Sequence, residues 1–129
     1  MAVLKPLRHP KSWSMLWWLA VLIVLAVCLM PSPDLPELPH NGDKLEHALA
    51  FFLLAASAVQ LYVRPRLRAV AIGLLLFGAA IEVAQGLLTV DRSADPFDLL
   101  ADAVGIALGM ATAFLPWRDL LLKLDGGKP

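Results

Sequence analysis

The chain has little charge and almost no cysteine. Lysine, arginine, aspartate and glutamate make up 17% of its 129 residues, against about 25% in soluble domains. Their formal charges cancel at pH 7, so nothing in the composition indicates electrostatic capture of nucleic acid. Cys28 is the single cysteine, which excludes an intramolecular disulfide and a cysteine metal cluster. We expect Cys28 to pack as a small apolar residue.

Apolar residues are abundant instead, and they occur in four long runs. The hydrophobic fraction is 59% and the mean hydropathy is +0.70, above the roughly 45–50% apolar share of soluble domains. Lipid offers backbone amides no water, and the runs lack the alternation of barrel strands, so each run is predicted to be a helix. The predicted fold is an all-α bundle of four transmembrane helices, at about residues 13–30, 45–63, 69–88 and 97–117.

The segments between the runs differ in character. No A-x-A cleavage site follows the first run, so we predict that this run remains as an anchor. Prolines crowd residues 31–39 and predict an extended loop, whereas the basic segment 64–68 predicts a tight antiparallel connection. Residues 120–129 are expected to fray. The whole chain, residues 1–129, is therefore predicted to be one membrane domain.

Lysine and arginine are divided unevenly between the two predicted sides. Nine of the eleven fall on the side that holds both chain ends, and the other two are Lys44 and Arg92. Short loops rich in these residues stay in the cytoplasm, so both termini are predicted to be cytoplasmic. Aromatic residues near the inner helix ends, where rings favour the headgroup level, indicate the same orientation. They are Trp13, Trp17, Trp18, Tyr62 and Trp117.

Polar side chains gather near the opposite, outer ends of three predicted helices. Each of these helices carries two of them spaced three or four residues apart, so each pair shares a helix face. An ionised carboxylate near the bilayer core costs about 2.5–3.5 kcal/mol and needs a partner, a proton or a wet cavity. With two cations from the same side they form the candidate ligand-binding site: Asp43, Lys44, His47, Glu82, Gln85, Arg92, Asp98 and Asp102.

Each polar residue also has a simpler interpretation. Asp43 and Asp98 suit helix N-termini, where an aspartate satisfies free amides and favours the helix dipole. His47 is compatible with ordinary interfacial packing, and Gln85 with a simple hydrogen bond between helices. Glu82 and Arg92 would form a structural ion pair between helices, which is weak evidence of function.

Small residues follow the polar ones on the fourth run. Gly105 and Gly109 lie four residues apart between Ala101 and Ala113, and this spacing lets helices approach closely in lipid. We therefore assign Gly105 and Gly109 to helix packing.

Four short motifs between residues 43 and 109 agree in order and spacing with those of a known family. The motifs are Asp43-Lys44-x-x-His47-x-x-x-Phe51, Ile81-Glu82-x-x-Gln85, Arg92, and Asp98-x-x-x-Asp102-x-x-Gly105-x-x-x-Gly109. This pattern resembles the VanZ-like family of small bacterial membrane proteins. The chain departs from the family at Asp102, where many members have asparagine.

The resemblance implies a place in the bacterial cytoplasmic membrane, a role in the cell envelope and a link to teicoplanin tolerance. It implies no settled reaction, because family likeness transfers architecture more safely than activity.

Three functions remain open from the sequence. The first is recognition of an envelope lipid or lipid-linked precursor at the outer face, with Lys44 and Arg92 meeting an anionic group. The second is a metal-assisted membrane enzyme acting on lipid-linked phosphates, since carboxylates and an imidazole suit magnesium, manganese or zinc. No H-E-x-x-H motif supports the second function.

The third function is an interhelical polar network that locks the bundle or docks a partner protein. Such contacts average about 0.6 kcal/mol each in lipid, so a cluster of this size exceeds what stability alone needs. The sequence leaves open whether the protein is an enzyme and whether a divalent metal is its cofactor. A bundle of four short helices is narrow, which leaves self-association open as well.

Overall fold

A computed structural model describes residues 2–30, 42–88 and 96–127, without the side chains of residues 42 and 43. The described residues form helices and no strand. The helices are α1 (Pro10–Leu29), α2 (Gly42–Leu61), α3 (Leu67–Leu88), α4 (Pro96–Ala111) and α5 (Leu120–Leu124), with short 3-10 turns at Arg64–Arg66 and Thr112–Phe114. The predicted loop at residues 31–39 lies outside the described residues.

Within the described residues, four segments are long and apolar enough to cross a membrane. Their mean hydropathies lie between 1.3 and 2.2. This confirms the predicted set of four apolar helices. The segments are Pro10–Leu29, Lys44–Leu61, Arg64–Leu88 and Pro96–Phe114.

The fourth helix ends earlier than the sequence predicted. Helical structure was predicted as far as residue 117, but α4 ends at Ala111 and the 3-10 turn after it ends at Phe114. Leu115 is extended, with φ −87° and ψ 156°. The cause is Pro116, whose ring disfavours helical backbone in the residue before it.

The prediction that residues 120–129 fray was wrong for the described residues 120–127. The short helix α5 is followed by Asp125, whose side chain is only 4% exposed. The Asp125 carboxylate accepts hydrogen bonds from the backbone amides of Arg8 and His9 and, at 3.1 Å, from the indole of Trp13. A carboxylate that receives several donors fixes both segments, and no local sequence pattern indicated this pairing.

A second set of contacts ties the N-terminal segment to the same end of the bundle. Lys5 Nζ lies 2.9 Å from Asp119 Oδ1 and donates to the carbonyl oxygen of Arg118 at 2.6 Å. The Lys5 hydrogen bond lowers the pKa of the Asp119 carboxyl. The backbone amide of Lys5 also donates to the Leu61 carbonyl oxygen at the end of α2. The described N- and C-terminal segments therefore both lie where α2 ends and α3 begins.

The backbones of α2 and α4 approach very closely at two glycines of α4. A Cβ atom on Gly105 would collide with the carbonyl oxygen of Ala48, and one on Gly109 would lie 2.7 Å from the carbonyl oxygen of Phe52. Only hydrogen fits at these positions. Because both contacts advance four residues on each helix, α2 and α4 run in the same direction with a fixed register.

We expect Gly105→Ala to destabilise the protein. The added methyl group forces α2 and α4 apart, and overpacking of this kind costs about 1–3 kcal/mol. Gly73→Ala is the matched control, because nothing lies within 4 Å of a Cβ atom there. In a helix, glycine to alanine is otherwise favourable by about 0.5–1 kcal/mol. Thermal unfolding of both variants in detergent measures the difference, and equal unfolding temperatures would contradict the close approach.

Asp125 gives the fold a pH dependence. The His9 hydrogen bond, with those from Trp13 and the backbone amide of Arg8, holds the pKa of the Asp125 carboxyl well below its ordinary range. A group with a lowered folded-state pKa stabilises the fold above its unfolded pKa, and this contribution is lost as the pH falls toward the folded value.

Asp125→Asn should therefore lower the unfolding temperature by a constant amount above about pH 5, where an unfolded aspartate is ionised. The deficit relative to wild type should shrink progressively below about pH 4. Thermal unfolding across a pH series checks this, and a deficit that grows on acidification would show that the carboxylate is not the stabilising form.

Candidate functional site

The polar residues predicted to form the site lie mainly at the end of the bundle opposite the tied chain ends. Helices α2 and α4 begin there, and α3 runs back to end there. Four titratable side chains from these three helices are buried, with at most 7% of each residue exposed. We call them the polar cluster: His47, Glu82, Asp98 and Asp102.

His47 of α2 lies between two carboxylates of α4. Its Nδ1 is 2.9 Å from Asp102 Oδ1, and its Nε2 is 4.0 Å from Asp98 Oδ2. An ionised carboxylate only accepts hydrogen bonds, so Nδ1 donates when Asp102 is ionised. The register set by Gly105 against Ala48 brings His47 to Asp102, because His47 directly precedes Ala48 on α2 and Asp102 lies one turn before Gly105 on the facing stripe of α4.

Asp102 is the most deeply buried member of the cluster, with 0% of the residue exposed. Its Oδ2 atom has no hydrogen-bond partner among the described residues. A Cβ atom on Gly78 of α3 would lie only 2.7 Å from this oxygen, so Asp102 packs against the α3 backbone where no side chain intervenes. A buried oxygen without a donor costs about 1–3 kcal/mol, and such atoms are uncommon in native proteins.

Lys44 connects the polar cluster to the surface. Its Nζ lies 3.7 Å from Asp98 Oδ1, and its side chain is 31% exposed whereas that of Asp98 is 7% exposed. Lys44 is in the first turn of α2, and Asp98 is in the first turn of α4. The positive ends of both helix dipoles favour negative charge at this mouth.

Gln85 directs its amide toward a different neighbour. It is buried, and its Nε2 donates to the carbonyl oxygen of Cys28 on α1 at 2.8 Å. Gln85 thereby joins α3 to α1 beside the polar cluster. Cys28 packs against the apolar core.

The structure leaves two of the predicted site residues undescribed. Asp43 lies in the first turn of α2, but its side chain is outside the described part. Arg92 lies outside the described residues altogether.

Gly78 is a site residue that the sequence analysis placed on the face of Glu82 but did not assign to the site. It lies one helical turn before Glu82 on the same face of α3, and it lets the α3 backbone reach the Asp102 carboxylate. The four-residue spacing to Glu82 was the available signal, but it does not show which helix packs there.

No protein-family model, curated protein or solved structure matches the chain. The resemblance to the VanZ-like family stays a prediction.

Asp102 allows charge and hydrogen bonding to be separated. Asp102→Asn keeps an acceptor for His47 Nδ1–H and removes a charge whose burial is unfavourable. In the presence of a chelator, which removes any bound metal ion, we expect the unfolding temperature of Asp102→Asn to equal or exceed that of wild type. Asp102→Ala should lose about 1–3 kcal/mol, because the buried imidazole N–H loses its acceptor. Thermal unfolding of both variants in detergent measures the difference between them. Equal losses would mean that the ionised carboxylate itself is stabilised in the fold.

Proposed function

We propose that the polar cluster recognises the anionic head group of a cell-envelope lipid or lipid-linked precursor. In this proposal the protein is a VanZ-like protein of the bacterial cytoplasmic membrane, with both termini in the cytoplasm and the polar cluster on the envelope side. Teicoplanin tolerance is the role that the family resemblance attaches to such a protein.

The observation that carries the proposal is the unsatisfied oxygen of Asp102. A polar network that serves only stability satisfies its buried atoms, because a partly satisfied network is less stable than an apolar core. Asp102 Oδ2 is buried without a hydrogen-bond donor in the described residues. Its position beside His47, in a cluster that Lys44 links to the surface, is typical of a site prepared for a ligand.

The distribution of charge supports the proposed orientation. The chain ends meet the α2–α3 connection at one end of the bundle, and the polar cluster lies at the other. Short basic loops remain in the cytoplasm, so the cluster would face the envelope. The basic residues at the tied end include Lys5, Arg8, Arg64, Arg66 and Arg118.

Lys44 supplies the first contact with an anionic group. Its ammonium group has three donors, and Asp98 lies 3.7 Å away. A phosphate oxygen that reached this mouth would accept a charge-assisted hydrogen bond from Lys44. The carboxylates below would accept hydrogen bonds from hydroxyl groups of the same ligand.

Lipid retention tests the proposal. We expect protein extracted directly into native membrane nanodiscs to retain one anionic lipid or lipid-linked precursor above its level in the bulk membrane. Lys44→Ala and His47→Ala should lose this enrichment, because they remove the mouth cation and the central side chain of the cluster. Quantitative lipid mass spectrometry provides the measurement.

The matched control is Asp125→Asn, which alters a hydrogen-bonded carboxylate at the opposite end of the bundle. It should keep the wild-type lipid profile. Identical profiles for wild type, Lys44→Ala and His47→Ala, all folded, would refute recognition at the polar cluster and favour the interhelical-network interpretation.

A further inference from the structure

Three buried side chains of the polar cluster are placed to share a single ion. His47, Glu82 and Asp102 each offer one ligand atom, and these three atoms all lie within 4.8 Å of one another. Each residue comes from a different helix, α2, α3 or α4. The arrangement therefore depends on the packing of the bundle and cannot form within one helix.

The separations suit a metal ion. Bonds of about 2.0–2.1 Å place neighbouring ligands roughly 3.0–3.4 Å apart and opposite ligands roughly 4.2 Å apart. His47 Nδ1 and Asp102 Oδ1 lie 2.9 Å apart, close to the value for neighbouring ligands. Binding of an ion by this pair requires Nδ1 to release its proton to solvent, so that the hydrogen bond is replaced by two bonds to the metal. No two of the three ligand atoms are more than 4.8 Å apart. Small side-chain rotations would bring this upper limit to the distance between opposite ligands.

A second observation points to a ligand at this place. Asp102 is fully buried, and its Oδ2 has no hydrogen-bond partner in the part of the chain that the structure describes. This oxygen faces Gly78, one turn from Glu82 on the same face of α3. An acceptor buried beside a second carboxylate and an imidazole suits a cation better than a network of neutral groups.

We propose that His47, Glu82 and Asp102 bind one divalent first-row metal ion, either Zn²⁺ or Mn²⁺. One imidazole and two carboxylates favour these ions over Ca²⁺, which takes oxygen ligands alone, and over Cu⁺, which prefers thiolates. Two carboxylates also neutralise the ion, so the bound centre carries no formal charge within the apolar bundle.

The metal centre deepens the proposed function. A divalent ion held among carboxylates offers a remaining position to a phosphate oxygen, which the carboxylates alone would repel. This last step rests on the proposed function, whereas metal binding by the three side chains does not.

The test uses the full chain, stripped of metal with a chelator and reconstituted into nanodiscs. Zn²⁺ alone and Mn²⁺ alone are titrated by calorimetry, and the bound metal is counted by elemental analysis. We expect about one ion per chain, and His47→Ala and Glu82→Gln should weaken binding at least about tenfold. Asp102→Asn, which keeps the hydrogen bond to His47, should weaken it in the same way.

Two control variants address adventitious binding. His9→Ala removes a histidine whose side chain is 59% exposed at the opposite end of the bundle, and Glu46→Gln removes an exposed carboxylate on α2. Both should bind the ion as wild type does. A site that is lost in His9→Ala and kept in His47→Ala would overturn the proposal.

A spectroscopic measurement on wild type does not depend on the folding of any variant. Pulsed electron paramagnetic resonance of bound Mn²⁺ should show coupling to one imidazole nitrogen. Mn²⁺ bound without nitrogen coupling, or no stoichiometric binding of either ion, would overturn the metal centre.

Lipid mass spectrometry on the same samples separates this inference from the proposed function. Stoichiometric metal without lipid enrichment would uphold the centre and remove the recognition function. Lipid enrichment in a protein that binds neither ion would uphold the recognition function and overturn the metal centre.

Discussion

The contact on which the candidate site depends is the close approach of α2 and α4 at Gly105 and Gly109. Van der Waals packing holds helices together in lipid, where the hydrophobic effect gives no preference for protein over lipid. Backbones that touch at two points four residues apart cannot slide or rotate without a collision. The contact of His47 with Asp102, which lies one turn of α4 nearer the mouth of the bundle than Gly105, follows from that register.

The third helix completes the site in the same manner, with a glycine at the point of contact. Gly78 lets the α3 backbone approach Asp102, and Glu82 then reaches the polar cluster from the next turn. Helix α4 thus receives His47 from α2 and Glu82 from α3, because a glycine lets each of these two helices approach it closely. The same glycines therefore account for both the close helix packing and the burial of Asp102. The tight packing around them holds this carboxylate in place although one of its oxygens has no hydrogen-bond partner among the described residues.

Hydropathy and helical period were enough to predict much of this arrangement. The four apolar runs were long enough to be recognised without ambiguity, and the three- and four-residue spacings correctly placed His47 and Asp102 on polar faces. The sequence did not predict which helix faces contact each other. Faces that would contact lipid are as apolar as faces that contact another helix, so hydropathy does not distinguish between them. Gln85 illustrates this, since its spacing from Glu82 suggested the polar cluster but its amide reaches α1. The role of Asp125 was missed because its partners lie more than a hundred residues away.

The ties between the N-terminal segment and residues 118–125 constrain the order of assembly. The amide of His9 and the carboxylate of Asp125 are separated by 116 positions, so the ribosome completes α2, α3 and α4 before this bond can form. Within the described residues, α1 is also joined to α2 by the Trp17 indole, which donates to the Leu54 carbonyl oxygen, and to α3 by the Cys28 carbonyl oxygen, which accepts from Gln85. These contacts, and the bond from the Lys5 amide to the Leu61 carbonyl oxygen, need only residues up to Gln85. The bonds to Asp125 are therefore the last of the contacts of the N-terminal segment to form, and they join it to a part of the chain that is synthesised after α4.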